Sequence, residues 1–331
     1  MEVLIVLIIV ALIFDYINGF NDSANIVATI VSSRVMSIQS ALILASVAEL
    51  IGPFLLGTAV AKTIGSDIID PACINLKIIF AALIGAIIWD LITWFFGFPS
   101  SSSHALIGGL VGGVIISFGI EKINLRGILK VVLILFSSPI IGFLVGFVFT
   151  KILYRLTINA TPKINNIFKS LQVFSSTFLA LSHGGNDAQK TMGIITMGLV
   201  VLKIQNNFVV PTWVILICAI ALALGIASGG LRIIKTVGTK IFKIKPIHGF
   251  SVQFSSSLVI LIAALIGGPV STTHVVSSSV VGVGSSVSLS KVRWTVVTDI
   301  LLAWFLTLPA SALISALSYK IIILIGGRNV F

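Results

Sequence analysis

Apolar residues run in long blocks along this chain, separated by short polar breaks, without the period-2 alternation of half-buried strands. A helix needs about 20 apolar residues to cross a bilayer. Ten blocks are predicted as crossings: Val3–Ser33, Ile38–Val60, Leu76–Phe98, Ala105–Ile120 and Gly127–Leu153, then Ser170–Leu202, Pro211–Gly229, Phe250–Gly267, Val275–Leu289 and Thr295–Ile325. Between the two sets lies a polar linker, Tyr154–Lys169, with Pro162 inside it. Val3–Ser33 and Ser170–Leu202 would each reach near 50 Å as ideal helices at ~1.5 Å per residue. Both carry Asn, Gly and Asp in the middle, which predicts a helix broken there or two short helices.

Composition supports a membrane setting. Of the 331 residues, 57% are hydrophobic and 9% charged, with a mean hydropathy of +1.18. A soluble domain carries roughly 25% charged residues, so a water-facing surface could not be covered. The expectation is an all-α polytopic protein of the cell membrane with 10–12 membrane segments, some broken or re-entrant. The first apolar block follows Met1-Glu2 without a basic stretch or a small-residue cleavage site, and so reads as a membrane element rather than a signal peptide.

The net charge of +11 is scattered over short loops with no basic stripe interleaved with aromatics, which argues against a nucleic-acid partner. Cys73 and Cys218 form neither a disulfide framework nor a metal-ligand spacing. Basic residues concentrate in two segments: Lys151, Arg155, Lys163 and Lys169, and then Arg232, Lys235, Lys240, Lys243 and Lys245. The positive-inside rule places both in the cytoplasm and both termini outside.

The two sets of blocks repeat each other. Gly19-Phe20-Asn21-Asp22 aligns with Gly184-Gly185-Asn186-Asp187, and Lys62-Thr63-Ile64-Gly65 with Lys235-Thr236-Val237-Gly238. Gly97-Phe98-Pro99-Ser100-Ser101-Ser102-Ser103-His104 aligns with Gly267-Gly268-Pro269-Val270-Ser271-Thr272-Thr273-His274, and Pro139 with Pro309. The division expected is a first repeat over 1–153, a cytoplasmic linker over 154–169 and a second repeat over 170–331. With about five crossings each, an odd number, the repeats must face opposite ways, the inverted plan of many secondary transporters.

Six acids lie in apolar surroundings: Asp15, Asp22, Glu49, Asp90, Asp187 and Asp299. A charge at the bilayer centre costs roughly 2.5–3.5 kcal/mol on insertion scales, so each needs a partner or a task. Asp22 and Asp187 hold the same place in both repeats. With Asn21 and Asn186 they are candidates for a coupling cation, Na⁺ in one reading; pairing of Asp187 with Lys190 is the structural alternative. The repeated Pro-x-Ser-Ser/Thr-Ser/Thr-His run predicts a helix start, with proline in the first turn and hydroxyls beside unpaired amides. Ser101, Ser102, Ser103, Ser271, Thr272 and Thr273 could thus surround an oxyanion with neutral donors that also release it. His104 and His274 close these runs as structural donors or proton carriers. Gly108/Gly112 and Gly109/Gly113 have the spacing of close helix packing or of a dimer face. Ser, His and Asp all occur, but no Gly-x-Ser-x-Gly elbow does, and a duplicated Ser-His pair suits two half-sites better than one nucleophile. A carrier rather than an enzyme is expected, with no cofactor; an anion channel is the alternative of a different class. Two carboxylates beside an oxyanion repel it by roughly 3 kcal/mol each at about 5 Å and ε near 20, so anion and cation should bind together.

At these motifs the chain resembles the inorganic phosphate transporter (PiT) family in its bacterial or archaeal form. Asn18-Gly19-Phe20-Asn21-Asp22-Ser23-Ala24-Asn25 is similar to the family's first signature, and His183-Gly184-Gly185-Asn186-Asp187-Ala188-Gln189-Lys190-Thr191 to its second. The resemblance implies symport of inorganic phosphate with Na⁺ or H⁺ by alternating access, commonly as a homodimer among lipids. It implies that Asp22, Asn25 and Asp187 serve ion and phosphate binding, with Asn25 among the phosphate-binding residues. It also draws attention to Gly249-Phe250-Ser251-Val252-Gln253, where many members carry an acid and this chain carries Gln253, a candidate for the coupling-ion site. Carriage of sulfate or another oxyanion on the same fold is the alternative within the family.

Overall fold

The computed structural model describes residues 2–67, 73–229, 233–234 and 236–326. Arg232 and Lys235, named in the sequence comparison, lie outside these residues. Among the described residues every regular element is helical. The first half contains α1 (Glu2–Ser32), α2 (Ile38–Leu56), α3 (Ala59–Lys62), α4 (Leu76–Phe96), α5 (Ser102–Phe118) and α6 (Leu125–Leu156). The second contains α7 (Ile164–Val201), α8 (Thr212–Ser228), α9 (Pro246–Leu265), α10 (Thr272–Val287) and α11 (Trp294–Gly326). A wide π-turn follows α3 at Thr63–Asp67, and its counterpart stands at Thr236–Lys240. Among the described residues six helices are long and apolar enough to cross a membrane: α1, α2, α4, α6, α9 and α11. Their outward sides carry large apolar residues such as Leu129, Leu133 and Ile140 of α6 and Leu302, Phe305 and Leu313 of α11, as lipid-facing surfaces require. The chain is a multi-pass membrane protein.

The expected break in the first and seventh helices is absent. α1 and α7 run as unbroken α-helices of 31 and 38 residues through both Asn-Asp motifs. Their glycines serve packing instead. A Cβ at Gly19 would meet the Leu222 carbonyl of α8, and one at Gly184 would meet the Glu49 backbone of α2. Gly225 and Gly52 press back in the same way, on the Tyr16 and Leu181 carbonyls. These four contacts let α1 close on α8, and α2 on α7, at backbone distance.

The interruptions fall elsewhere. α4–α5 and α9–α10 form hairpins; in their connections Phe98 and Ile266 face outward, while the stretches next to the second helix, Pro99–Ser101 and Gly267–Ser271, are buried. Loops normally run over the surface, and bare backbone at membrane depth is tolerated only where protein covers it. The hairpin tips therefore end inside the protein. Each tip is held by the other half: Thr63 Oγ1 donates to the Gly267 carbonyl at 2.8 Å, and Thr236 Oγ1 to the Gly97 carbonyl at 3.1 Å. The remaining cross-pairs are reciprocal as well, α5 packing on α11 and α6 on α10.

Two further expectations are adjusted. The linker shortens to residues 157–163, because Tyr154 lies in α6 and Lys169 in α7. Gly108 and Gly112 pack on the α11 backbone at Leu308 and Ala312, and Gly109 on Ala82 of α4, so the small-residue stripe is used within the chain rather than as a dimer face.

The apolar interior forms two clusters. One joins Leu7, Ala11 and Phe14 of α1 to Ala188–Leu199 of α7 and the faces of α4, α5 and α8. The other joins Ala24–Ile30 of α1 to Leu179 and Ala180 of α7, with α2, α9 and α10. On both long helices the Asn-Asp pair, Asn21-Asp22 and Asn186-Asp187, falls in the interval between them.

Candidate functional site

The unbroken course of α1 and α7 sets the geometry. In a helix, residues three and four apart share a face, so Asn18, Asp22 and Asn25 present one polar face and His183, Asp187 and Lys190 another. The two faces meet. Atoms of Asp22, His183 and Asp187 lie within 4.8 Å of one another, all three buried. Asp187 Oδ2 is 2.7 Å from Lys190 Nζ, so the pairing alternative holds for this carboxylate. His183 Nδ1 is 2.8 Å from Glu49 Oε1, while its Nε2 faces Asp22 at 3.5 Å and Asp187 at 3.9 Å.

The hairpins supply the hydroxyls. Ser101 and Ser271 are N-caps of α5 and α10, each accepting the amide of the histidine three residues on, His104 or His274, at 3.2 Å. The prolines thus precede the helix by several residues rather than sitting in its first turn. The next two residues, Ser102 and Ser103 or Thr272 and Thr273, hold the first helical amides, which lack intrahelical acceptors. Thr273 Oγ1 donates to Asp22 Oδ1 at 2.7 Å, and Thr272 Oγ1 reaches Asp22 and Asp187 at 3.4 and 3.3 Å. Asn25 Nδ2 donates to Asp22 Oδ1 at 2.6 Å and to Thr273 Oγ1 at 2.9 Å. Ser102 Oγ donates to Asn18 Oδ1 at 2.6 Å, and Asn18 Nδ2 to Asp187 Oδ2 at 3.4 Å. Ser103 Oγ ties its tip to the other through the Val270 carbonyl at 2.9 Å. The two motif histidines stand side by side behind the tips, ring centroids 4.5 Å apart, with His274 stacked on Trp304 at 3.8 Å.

Not every candidate joins this cluster. Asn21 and Asn186 donate to the Asp90 and Gly268 carbonyls at 3.2 and 3.3 Å; they brace α1 and α7 against their hairpins. Gln253 accepts from Ser175 at 2.9 Å, and Ser175 lies three turns of α7 before Asp187. Asp15 and Asp90 are buried without an ion pair among the described residues. Asp299 is exposed on α11.

This arrangement juxtaposes two helix N-termini, which favour anions, with carboxylates, which favour cations. Residues 18–315 match the phosphate transporter family. The chain belongs to that family. It is 45% identical over 318 residues, 96% of its length and 95% of the relative's, to a protein of Rhizobium meliloti named a probable low-affinity inorganic phosphate transporter. It is 44% identical over 322 residues to a protein of the same name from Bacillus subtilis, with 96% of each chain covered. Among solved structures it superposes on "The sodium-dependent phosphate transporter" with a TM-score of 0.90 at 27% identity, covering 98% of this chain and 100% of that one.

Of the residues expected to act together, Asp22, Asp187, Asn25, Ser102, Thr272 and Thr273 meet in this cluster, whereas Ser101 and Ser271 cap their helices and Ser103 bonds the Val270 carbonyl. Sequence reasoning passed over His183 and Asn18 as site residues. Their signal was present, four positions before each aspartate, but an expected break conceals a shared helical face. Glu49 carried only the signal of an acid in an apolar block.

Proposed function

We propose that this protein is a secondary transporter that carries inorganic phosphate across the cell membrane in symport with a cation, Na⁺ or H⁺, by alternating access between two inverted halves. The first half runs to the end of α6 at Leu156 and the second from the start of α7 at Ile164, around a cytoplasmic connection at 157–163. The family and the named relatives support phosphate as the substrate; reciprocal helix pairing supports the two-fold plan.

One observation carries the coupling. Asp15, Asp22, Glu49, Asp90 and Asp187 are all buried, at 3% exposure or less, and Lys190 pairs with Asp187. An oxyanion cannot enter such a layer unless added positive charge offsets the carboxylates. Thr272 and Thr273 now donate to the carboxylates. When a cation holds Asp22, these hydroxyls and the free amides at the starts of α5 and α10 turn to phosphate. Neutral donors hold the anion without the grip of an arginine fork, so it leaves once the cation does.

The test is uptake of labelled phosphate by proteoliposomes under an imposed Na⁺ gradient, then a H⁺ gradient, with sulfate as competitor. One gradient should accelerate uptake, and sulfate in excess should leave it unchanged. Uptake indifferent to both gradients would overturn the coupling; full competition by sulfate would overturn the substrate.

A further inference from the structure

The two copies of the Asn-Asp motif are chemically unequal. Asn18, Asn21, Asp22 and Asn25 of α1 correspond to His183, Asn186, Asp187 and Lys190 of α7, each 165 residues on. One contact at the two carboxylates nevertheless corresponds. Asn25 Nδ2 meets Asp22 Oδ1 at 2.6 Å from three positions along the helix, and Lys190 Nζ meets Asp187 Oδ2 at 2.7 Å from three positions along. Both residues are buried. What differs is what each can offer a mobile ion. An amide has an oxygen as well as a nitrogen, and the Oδ1 of Asn25 is buried without a hydrogen-bond partner. Nδ2 is the atom that now faces Asp22 Oδ1 and the Thr273 hydroxyl; a half-turn of the amide puts the oxygen in its place, giving a set of oxygen donors of the kind that suits a hard cation. Lys190 has three N–H donors and no acceptor. It delivers a charge where the first half delivers a ligand.

We propose that Lys190 is a tethered cation. It occupies for good the cation place of the second half-site, so the protein carries one coupling cation fewer per phosphate than a symmetric pair of half-sites would require. The mobile cation then belongs to the first half-site, at Asp22, Asn25 and Thr273. Of the groups facing Asp187, Asn18 and Thr272 are neutral donors, His183 stands at 3.9 Å with its other nitrogen on Glu49, and Lys190 is nearest. This inference rests on the cation-coupled reading above.

The experiment rebuilds the first half's chemistry in the second. Lys190→Asn and Lys190→Gln are purified and reconstituted beside wild type. Initial phosphate uptake is measured against external Na⁺ at fixed pH, and Tm of the detergent-purified proteins over the same Na⁺ series. Asn25→Lys reads the same question from the other half. The apparent order in Na⁺ should rise by about one in the Lys190 variants and fall by about one in Asn25→Lys. Na⁺ should raise Tm more in the Lys190 variants than in wild type. If the Lys190 variants lose uptake, a Na⁺-dependent rise in Tm supports the proposal and a Tm that follows wild type overturns it. An unchanged order in all three variants overturns it as well. Failure of the coupled reading itself is distinguishable, because wild type would then ignore both Na⁺ and H⁺ gradients.

Discussion

Replacing Asp22 by Asn removes one charge from the cluster while keeping an oxygen for Thr273 and Asn25, which bond it at 2.7 and 2.6 Å. The magnitude follows from distance. The cluster's ligand atoms lie within 4.8 Å of one another, and two unit charges at that separation interact by about 3.5 kcal/mol at an effective ε near 20. The same scale applies to a cation sharing this space with Asp22, and with opposite sign to an oxyanion. Losing the charge should therefore weaken cation binding by about 3 kcal/mol, roughly two powers of ten at ~1.4 kcal/mol per decade. It should also relieve the anion of a similar repulsion. In proteoliposomes loaded for labelled phosphate uptake, the cation concentration for half-maximal rate should rise by about a hundredfold in Asp22→Asn. The phosphate KM at saturating cation should change much less. A cation dependence within threefold of wild type, in a variant that reconstitutes as well as wild type, would refute the electrostatic reasoning.

Three further outcomes are expected. Thr272→Val with Thr273→Val removes two hydroxyls from the start of α10; at about 1.5–3 kcal/mol per hydrogen bond to a charged group, phosphate KM should rise by at least tenfold per hydroxyl, read from uptake against phosphate concentration. Gly52→Val drives a branched side chain into the Leu181 carbonyl and the Gly185 amide of α7; overpacking of this kind costs about 1–3 kcal/mol, and a lowered Tm of the purified protein checks it. Thr63→Val with Thr236→Val cuts both bonds that hold a hairpin tip to the opposite half; with about 1 kcal/mol net for each, Tm should fall and proteolysis at the tips should quicken, whereas equal protease resistance would count against the latch.

Much of this was legible in the sequence, for different reasons in different places. Helix boundaries followed apolar block lengths, because a bilayer imposes its thickness on every crossing; Leu76–Phe98 and Ile38–Val60 end within a few residues of α4 and α2. The break expected at Gly19 and Gly184 was misplaced. Glycine weakens a helix interior in water by about 1 kcal/mol relative to alanine, but here it gains backbone contact with α8 and α2, and tertiary packing overrides propensity. The buried tips at Pro99–Ser101 and Gly267–Ser271 could not be told from surface turns, since what covers them comes from the other half. Glu49 lay beyond reach for the same reason: its partner His183 stands on a helix from the other repeat, and no spacing in the sequence encodes that meeting. Gln253 shows the converse, a residue singled out by a motif that the fold places three turns away from the carboxylates.

The two apolar clusters that sandwich the polar layer have an electrical consequence. Low-dielectric slabs hold most of a voltage applied across the protein, as the plates' gap does in a capacitor, while the polar layer between them is nearly equipotential. Rearrangements within that layer, such as a threonine turning from carboxylate to phosphate, should register little gating charge. Passage of an ion through either slab should register a large one, with each elementary charge carried across both worth about 2.3 kcal/mol per 100 mV. Voltage would thus be felt at entry and exit, and hardly at all at recognition.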